Sequence, residues 1–369
     1  MNEQIHEQSI IVGVDAHKYS HTAAALNAWG QDRGRLQFTN DSLPQALSWL
    51  QTLGQREHVI VAVEDANSYG WHLAAALAKE RFVVRSVPAV LTERDRQHST
   101  SRDKSDYEDA RRVAKVILTK YEETLPVMAS IANPEELAIA EELNLLLNER
   151  RDVIKQQTIL KNQLHALLHR YYGDHYADAF SKPFHQTALA FYEDDLAKNT
   201  DNALVAQSIL RRIERLKLFT AQSSEMLGQI AGVGQTSPAV SALSEQIHGC
   251  GTLTACAIMA EIVIIRRFAN EDRLAKYAGI APTMKSSGSH NRLHTNPFGN
   301  RLLNRALHTI ALSQIAIKGD PRGKEYYQKK LTEGKTKLWA LRCLKRQICN
   351  LVFRALQAVE TGNSGKTAS

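Results

Sequence analysis

A chain of 369 residues, 43% hydrophobic and 23% charged, is long enough for two or three domains with sizeable cores. The composition suits a soluble protein, no apolar run is long enough to span a bilayer, and the polar start MNEQIHEQ lacks a signal-peptide pattern, so a cytosolic protein is expected. The net charge of +7 is unevenly spread: from residue 246 onward 20 Lys and Arg face 7 Asp and Glu, a net of +13, while residues 1–245 carry −6. A field of one sign attracts polyanions and releases their counterions, although a solvated basic surface explains the same charge. Cys250, Cys256, Cys343 and Cys349 lack the spacing of a zinc site and are expected to be free thiols.

In chain order, SIIVGV (9–14) is a β-rich apolar run ending at Asp15. HTAAALNAWG, after Lys18, predicts a second strand closing a hairpin, and GRLQFTN (34–40) a third. Residues 43–54 read as a helix, HVIVAVEDA (58–66) as a buried strand ending at Glu64 and Asp65, 69–80 as a helix and RFVVRSVP as a strand. The order β-β-β-α-β-α-β-α predicts an RNase H-like domain, a mixed sheet flanked by helices. DKSDYEDARRVAKVIL (103–118) predicts a further helix, with Asp103 as its cap.

Pro134 opens a long amphipathic segment through Tyr172, expected to be a helix and a coiled-coil arm. Residues 208–233 read as the returning helix and 173–203 as irregular. Such an arm serves self-association, or it folds as a hairpin on its own domain. The basic last third starts with the turn and helix of IHGCGTLTACAIMAEI (247–262), where backbone N–H groups at a helix start can meet a phosphate. A short helix follows within 268–282, then a loop, APTMKSSGSHNR, then a helix from NPFGNRLLNRAL and two more basic helices. The boundaries read from this pass are 1–130, 131–240 and 241–360, with 361–369 a disordered tail.

Asp15 and Glu64 end strands, and in open α/β sheets sites form at that edge. Asp106 and Asp109, three apart, share a helix face. Four such carboxylates supply the hard oxygen ligands that two divalent ions need to cut a phosphodiester. Asp65 is expected on the opposite sheet face from Glu64. His17 and Lys18 stand beyond Asp15, either to meet a phosphate or to fill the turn. In the loop, a serine beside Gly288 suits a nucleophile once a base takes its proton, with Lys285 and Arg292 placed to stabilise charge at phosphorus. Local sequence leaves Ser286, Ser287 and Ser289 open.

These segments in order resemble a known family over nearly the whole chain. VGVDAHK carries Asp15, VAVEDA carries Glu64, and KSDYEDARRVA carries Asp106 and Asp109. YAGIAPTMKSSG holds the serine immediately before glycine, which selects Ser287, and FGNRLLNRAL follows. The chain is similar to the insertion-sequence transposases that combine a RuvC-like DEDD domain with a serine-containing transposase domain, the bridge-RNA-guided DNA recombinases. NPFGN departs from the basic Lys-Arg-Gly-Asn of many relatives, removing one phosphate contact.

The resemblance implies a multidomain α/β plus α protein: a RuvC-like N-terminal domain, a helical coiled-coil arm and a mainly helical transposase domain. It implies Mg²⁺, two ions per site, on Asp15, Glu64, Asp106 and Asp109, and a covalent link from Ser287 to a cleaved DNA strand. Lys18, Lys285, Arg292, Arg301 and Arg305 are the expected nucleic-acid contacts. The implied partners are donor and target DNA, a structured guide RNA, and further copies of the chain, dimers pairing into a tetramer in which one subunit's serine completes another's metal site. No membrane is involved, and the protein is expected to act at the nucleoid of a prokaryotic cell. Two rivals stand beside this reading: a RuvC-like junction endonuclease using metal-activated water, and a non-enzymatic nucleic-acid scaffold.

Overall fold

The computed structural model describes residues 5–66, 68–98, 105–198, 203–287, 290–294 and 299–364; the side chains of 94–98, 129, 283–287, 290–294 and 363–364 fall outside the described set. Strands β1 (Ile10–Ala16), β2 (Ser20–Asn27) and β3 (Asp32–Thr39) form an antiparallel meander. After helix α1 (Leu43–Leu53), strand β4 (Val59–Glu64) lies parallel to β1. Helix α2 (Trp71–Lys79), strand β5 (Val83–Val87), helices α3 (Ala89–His98) and α4 (Asp106–Lys120) and the two-residue strand β6 (Leu125–Pro126) complete the unit. The sheet order is β3-β2-β1-β4-β5-β6, a mixed sheet consistent with the expected RNase H-like domain.

Alternation divides its core into two layers. Val12, Val14, Val59, Val61 and Val63 pack with Leu50 of α1 and Leu73 and Leu77 of α2. Ile11, Ile60 and Ala62 pack against Val113, Ala114 and Ile117 of α4. Each layer removes branched side chains from water at roughly 1.5–3 kcal/mol per buried residue.

Helix α5 (Pro134–Tyr172) starts on a reciprocal cap: Asn133 Oδ1 accepts from Glu136 N at 2.8 Å and Glu136 Oε2 accepts from Asn133 N at 2.9 Å. It runs 39 residues and pairs with α7 (Ala203–Gln235). Gln157 Nε2 donates to Phe219 O at 2.8 Å and Arg212 Nε to Gln163 Oε1 at 3.1 Å, so the two helices are antiparallel within one chain. Their far ends enclose Leu160, Leu164, Ile209 and Ile213. The segment read as irregular contains α6 (Gln186–Lys198), whose Ala188, Leu189, Tyr192 and Leu196 join that cluster.

The base of this arm belongs to another core. Leu143 of α5 and Ile230 of α7 pack with α8 (Pro238–Gln246), α9 (Thr252–Ile262), α10 (Glu271–Tyr277), α11 (Arg301–Ile315) and α13 (Lys337–Ser364). Helix α12 (Pro321–Thr332) lies against α13, and its Tyr326 and Tyr327 flank that core. Where a loop was expected, strands β7 (Thr283–Ser287) and β8 (His290–His294) form a separate two-stranded sheet. Helix α13 continues through Ser364, so residues 361–364, expected in a disordered tail, are helical. The four cysteines are free thiols, and among the described residues no helix is long and apolar enough to cross a membrane.

Candidate functional site

The sheet places two acids on the same side as α4. Ile11, Gly13 and Asp15 share one face of β1, and Ile60, Ala62 and Glu64 share the corresponding face of the parallel β4. Gly13 sets how close α4 comes. A Cβ there would lie 2.1 Å from Ala110 O and 2.3 Å from Ala114 N, so only glycine fits beneath the helix backbone. That approach brings the first turn of α4, with Asp106 and Asp109, to the end of β1. Ser105 caps this turn, its Oγ accepting from Glu108 N at 3.2 Å; Asp103, the expected cap, lies outside the described residues.

His17 links the two elements. Its Nε2 lies 3.2 Å from Asp15 Oδ2 and 3.8 Å from Asp106 Oδ1. One ligand atom each from Asp15, His17 and Asp106 fall within 4.8 Å of one another, the spacing that can close on a cation. Glu64 and Asp109 stand beside this trio rather than in it. Glu64 Oε1 accepts from Thr92 Oγ1 at 2.8 Å, and Asp109 Oδ1 accepts from Arg112 Nη1 at 2.5 Å. Asp65 leaves the strand in the left-handed region, φ 54°, and is exposed, so turn geometry separates it from Glu64 rather than strand alternation.

Electrostatics register the crowding. Burial pushes the Asp15 carboxyl above its usual range; His17 opposes the rise, and the charges of Asp109 and Asp106 add to it. Burial likewise raises Glu64; the Thr92 hydroxyl opposes, and Asp15, Asp109 and Asp65 add. Carboxylates gathered this way are stabilised as anions by a cation among them. Their hard oxygens fit a divalent ion such as Mg²⁺, while an imidazole is softer than that ion usually takes. Sequence reasoning left the role of His17 open and missed Thr92, which is silent until α3 folds over β4.

The serine segment is a β-ribbon. Ser287 lies opposite His290 and Lys285 opposite Arg292, positions that share one face of the ribbon by strand alternation. The side chains of Lys285, Ser287 and Arg292 lie outside the described residues, as does all of Gly288 and Ser289. Lys18 is exposed in the β1–β2 turn, its Nζ 4.9 Å from the centroid of the exposed Tyr19 ring. Arg301 and Arg305 are exposed on the first turns of α11, whose cap is Asn300.

Known proteins share both regions. Residues 12–173 match the IS110-type DEDD family model, described as Transposase, and residues 241–328 match the model described as Transposase IS116/IS110/IS902 family. A relative in Streptomyces clavuligerus, the uncharacterized 44.8 kDa protein of insertion element IS116, is 24% identical over 392 aligned residues covering 94% of each chain. The uncharacterized 43.6 kDa protein of insertion element IS110 in Streptomyces coelicolor is 36% identical over 110 residues, 30% of this chain and 27% of that one. The uncharacterized 42 kDa protein of insertion element IS900 in Mycobacterium paratuberculosis is 39% identical over 92 residues, 24% of this chain and 22% of that one. The chain therefore spans about a quarter of the length of these last two relatives. With the two family models together covering about two thirds of the sequence, the chain belongs to the IS116/IS110/IS902 family of transposases.

Proposed function

We propose that the protein is a transposase that cuts insertion-element and target DNA and exchanges their strands, using the Asp15, Glu64, Asp106 and Asp109 carboxylates with Mg²⁺ and Ser287 as nucleophile. One observation carries the reading. Four acids from three elements lie at one end of the sheet, Asp15 and Asp106 around His17 with Glu64 and Asp109 beside them, and burial and mutual repulsion raise two of them, Asp15 and Glu64. A bound pair of ions would supply charge neutralisation at phosphorus and at the leaving oxygen. The chain's own residues do the rest. Asp15 and Asp106 hold one side of the site, Thr92 orients Glu64, and Arg112 orients Asp109.

In the transfer step a bond forms between Ser287 Oγ and phosphorus as the bond from phosphorus to the leaving sugar oxygen breaks. The hydroxyl proton passes to a neighbouring base, and the leaving oxygen takes up a proton. Exchange then reverses the step with the other DNA's sugar hydroxyl. Lys18, Lys285, Arg292, Arg301 and Arg305 contact the phosphodiester backbone in this reading. A structured RNA of the element selects both DNAs by base pairing, and copies of the chain assemble as dimers and tetramers within the cytoplasm.

The test uses protein, Mg²⁺, the element's RNA and labelled donor and target DNA. Wild type is expected to form a covalent protein–DNA adduct that Ser287→Ala does not form. Cleavage without any adduct in Ser287→Ala would instead establish a metal-water endonuclease.

A further inference from the structure

The ribbon β7–β8 needs a fixed base, because an isolated two-stranded hairpin is marginally stable in water. Before and after it in the chain, Gly279 and Gly299 lie against each other. A Cβ on Gly299, which adopts φ 121°, would fall 2.6 Å from both N and Cα of Gly279. Around this contact Asn300 uses every polar atom it has. Its N donates to Tyr277 O at 2.7 Å, and its Oδ1 caps α11 by accepting from Leu302 N and Leu303 N at 3.0 and 2.8 Å. Its Nδ2 donates to Glu261 Oε2 at 2.5 Å and lies 3.0 Å from Tyr277 Oη. One turn on, Asn304 Nδ2 donates to Ala278 O at 2.7 Å, so three hydrogen bonds join the chain before the ribbon to the chain after it.

Glu261 is the unexpected member. Capping α11 requires only the Asn300 oxygen. Burial pushes the Glu261 carboxyl above its usual range, the Asn300 bond opposes that rise, and Arg151 and Arg267 oppose it too. Among the described residues no Lys or Arg makes an ion pair with it. Glu261 is half-buried, and an acid partly withdrawn from water without a paired cation costs folding free energy that an apolar side chain would not. Its position is also held under strain. Two residues later Val263, a β-branched residue, has φ 60° and ψ −60° at the centre of a γ-turn in which Ile264 N donates to Ile262 O at 2.7 Å. Strain of this kind persists where the surroundings over-determine the backbone, as at functional sites. Glu261 and Tyr277 line a cavity of about 560 Å³ together with Ser68 and Trp71, from the loop and helix that follow Glu64.

We propose that Glu261 is a positioning residue for strand transfer: its carboxylate fixes the Asn300 amide, and Asn300 fixes the base of the ribbon that carries Ser287. The proposal rests on the serine reading above. With the carboxylate in place the amide can present only its oxygen to α11 and its nitrogen to Glu261, so the start of α11 and the end of the ribbon keep one relation. Without it the amide nitrogen keeps only Tyr277 Oη, so the hold on the ribbon's base loosens while the helix keeps its cap.

The test combines backbone hydrogen exchange of residues 283–294 with adduct formation on donor DNA, in Glu261→Ala, Glu261→Gln and Asn300→Ser. Asn300→Ser keeps a capping oxygen and removes the amide donor, which guards against a Glu261→Ala protein that does not fold. Exchange in the ribbon is expected to rise about tenfold in Glu261→Ala and Asn300→Ser, and to stay near wild type in Glu261→Gln, whose amide oxygen still accepts from Asn300. Adduct formation should slow by about 10²-fold in the first two and recover in Glu261→Gln, with DNA affinity unchanged. Wild-type exchange and a wild-type adduct rate in Glu261→Ala would overturn the proposal and leave the serine reading intact. No adduct even in wild type, with faster exchange in Glu261→Ala, would overturn the serine reading while supporting the clamp.

Discussion

Asp15 and Glu64 stand at the ends of neighbouring parallel strands inside a six-stranded sheet, whereas Ser287 ends the first strand of a ribbon of two. The first region is held along its length: β1 pairs on both sides, and α4 lies on its Gly13. The second is held at its base by Asn300, Asn304 and the Gly279–Gly299 contact. The contrast matches the demands of the chemistry proposed. Ligands for a metal ion must be kept near their final geometry, and rigid elements do that better than loops. A nucleophile that becomes joined to DNA has to reach a substrate whose position varies.

The largest effect expected from breaking the rigid half is at Asp106. Asp106→Ala removes one of the two carboxylates bridged by His17 and should abolish strand cleavage while leaving nucleic-acid binding largely intact, measured by cleavage of labelled DNA beside a binding titration. Normal cleavage in that variant would remove Asp106 from the site. Next is Gly13→Ala, whose Cβ would press on the α4 backbone. Displacing the helix should cost about 1–3 kcal/mol or more, read from the urea midpoint, with activity falling further than the stability loss explains. Among the described residues the hydrogen bonds at the ribbon's base involve no residue of α4, so ribbon exchange should stay near wild type. A Gly13→Ala protein with both regions disturbed would show that they are not independently held.

A smaller change separates orientation from ligation. Thr92→Val keeps the shape of the side chain and removes the hydroxyl that donates to Glu64 Oε1. Partners outside the ligand shell typically contribute 10–100-fold to metal affinity, and a Mg²⁺ titration of cleavage should weaken by about that factor. An unchanged Mg²⁺ dependence would mean that Glu64 is oriented by its strand alone.

The contrast also decides what could be read from the sequence. Asp15 and Glu64 were legible because apolar runs of strand length end on acids, and Asp106 and Asp109 because helical spacing puts them together. The pairing of Asp15 with His17 and Asp106 was not, since it depends on how closely α4 approaches Gly13, a tertiary fact. Helix α6 escaped notice although Ala188, Leu189, Tyr192 and Leu196 have helical spacing, because short polar segments flank it on both sides. The ribbon has the sequence of a loop: MKSSGSHNR offers no β-branched residue, and only the backbone shows Ser287 opposite His290. In sequence Glu261 is one more residue of a helix, and its partner Asn300 lies 39 residues away in the chain.

The smallest predicted effect probes the ribbon's base from its other side. Lys345 of α13 is buried and donates to Asn304 Oδ1 at 2.5 Å, and Asn304 in turn holds Ala278 O. Burial, with the nearby Arg342 charge, lowers the Lys345 ammonium to about 8. The native state therefore gives up this proton at a lower pH than the unfolded chain, which keeps it into the ordinary lysine range. Between these limits unfolding takes up a proton, so the Lys345 contribution to stability rises as pH rises from 8 towards 10 and is level below 8, where both states hold the proton. The slope should approach about 1 kcal/mol per pH unit. Lys345→Met removes the group, and the difference in unfolding free energy between wild type and variant, followed over that range, should carry the slope. A difference that stays flat would mean that the ammonium is better solvated than its burial suggests, and that Asn304 is held without a charged partner.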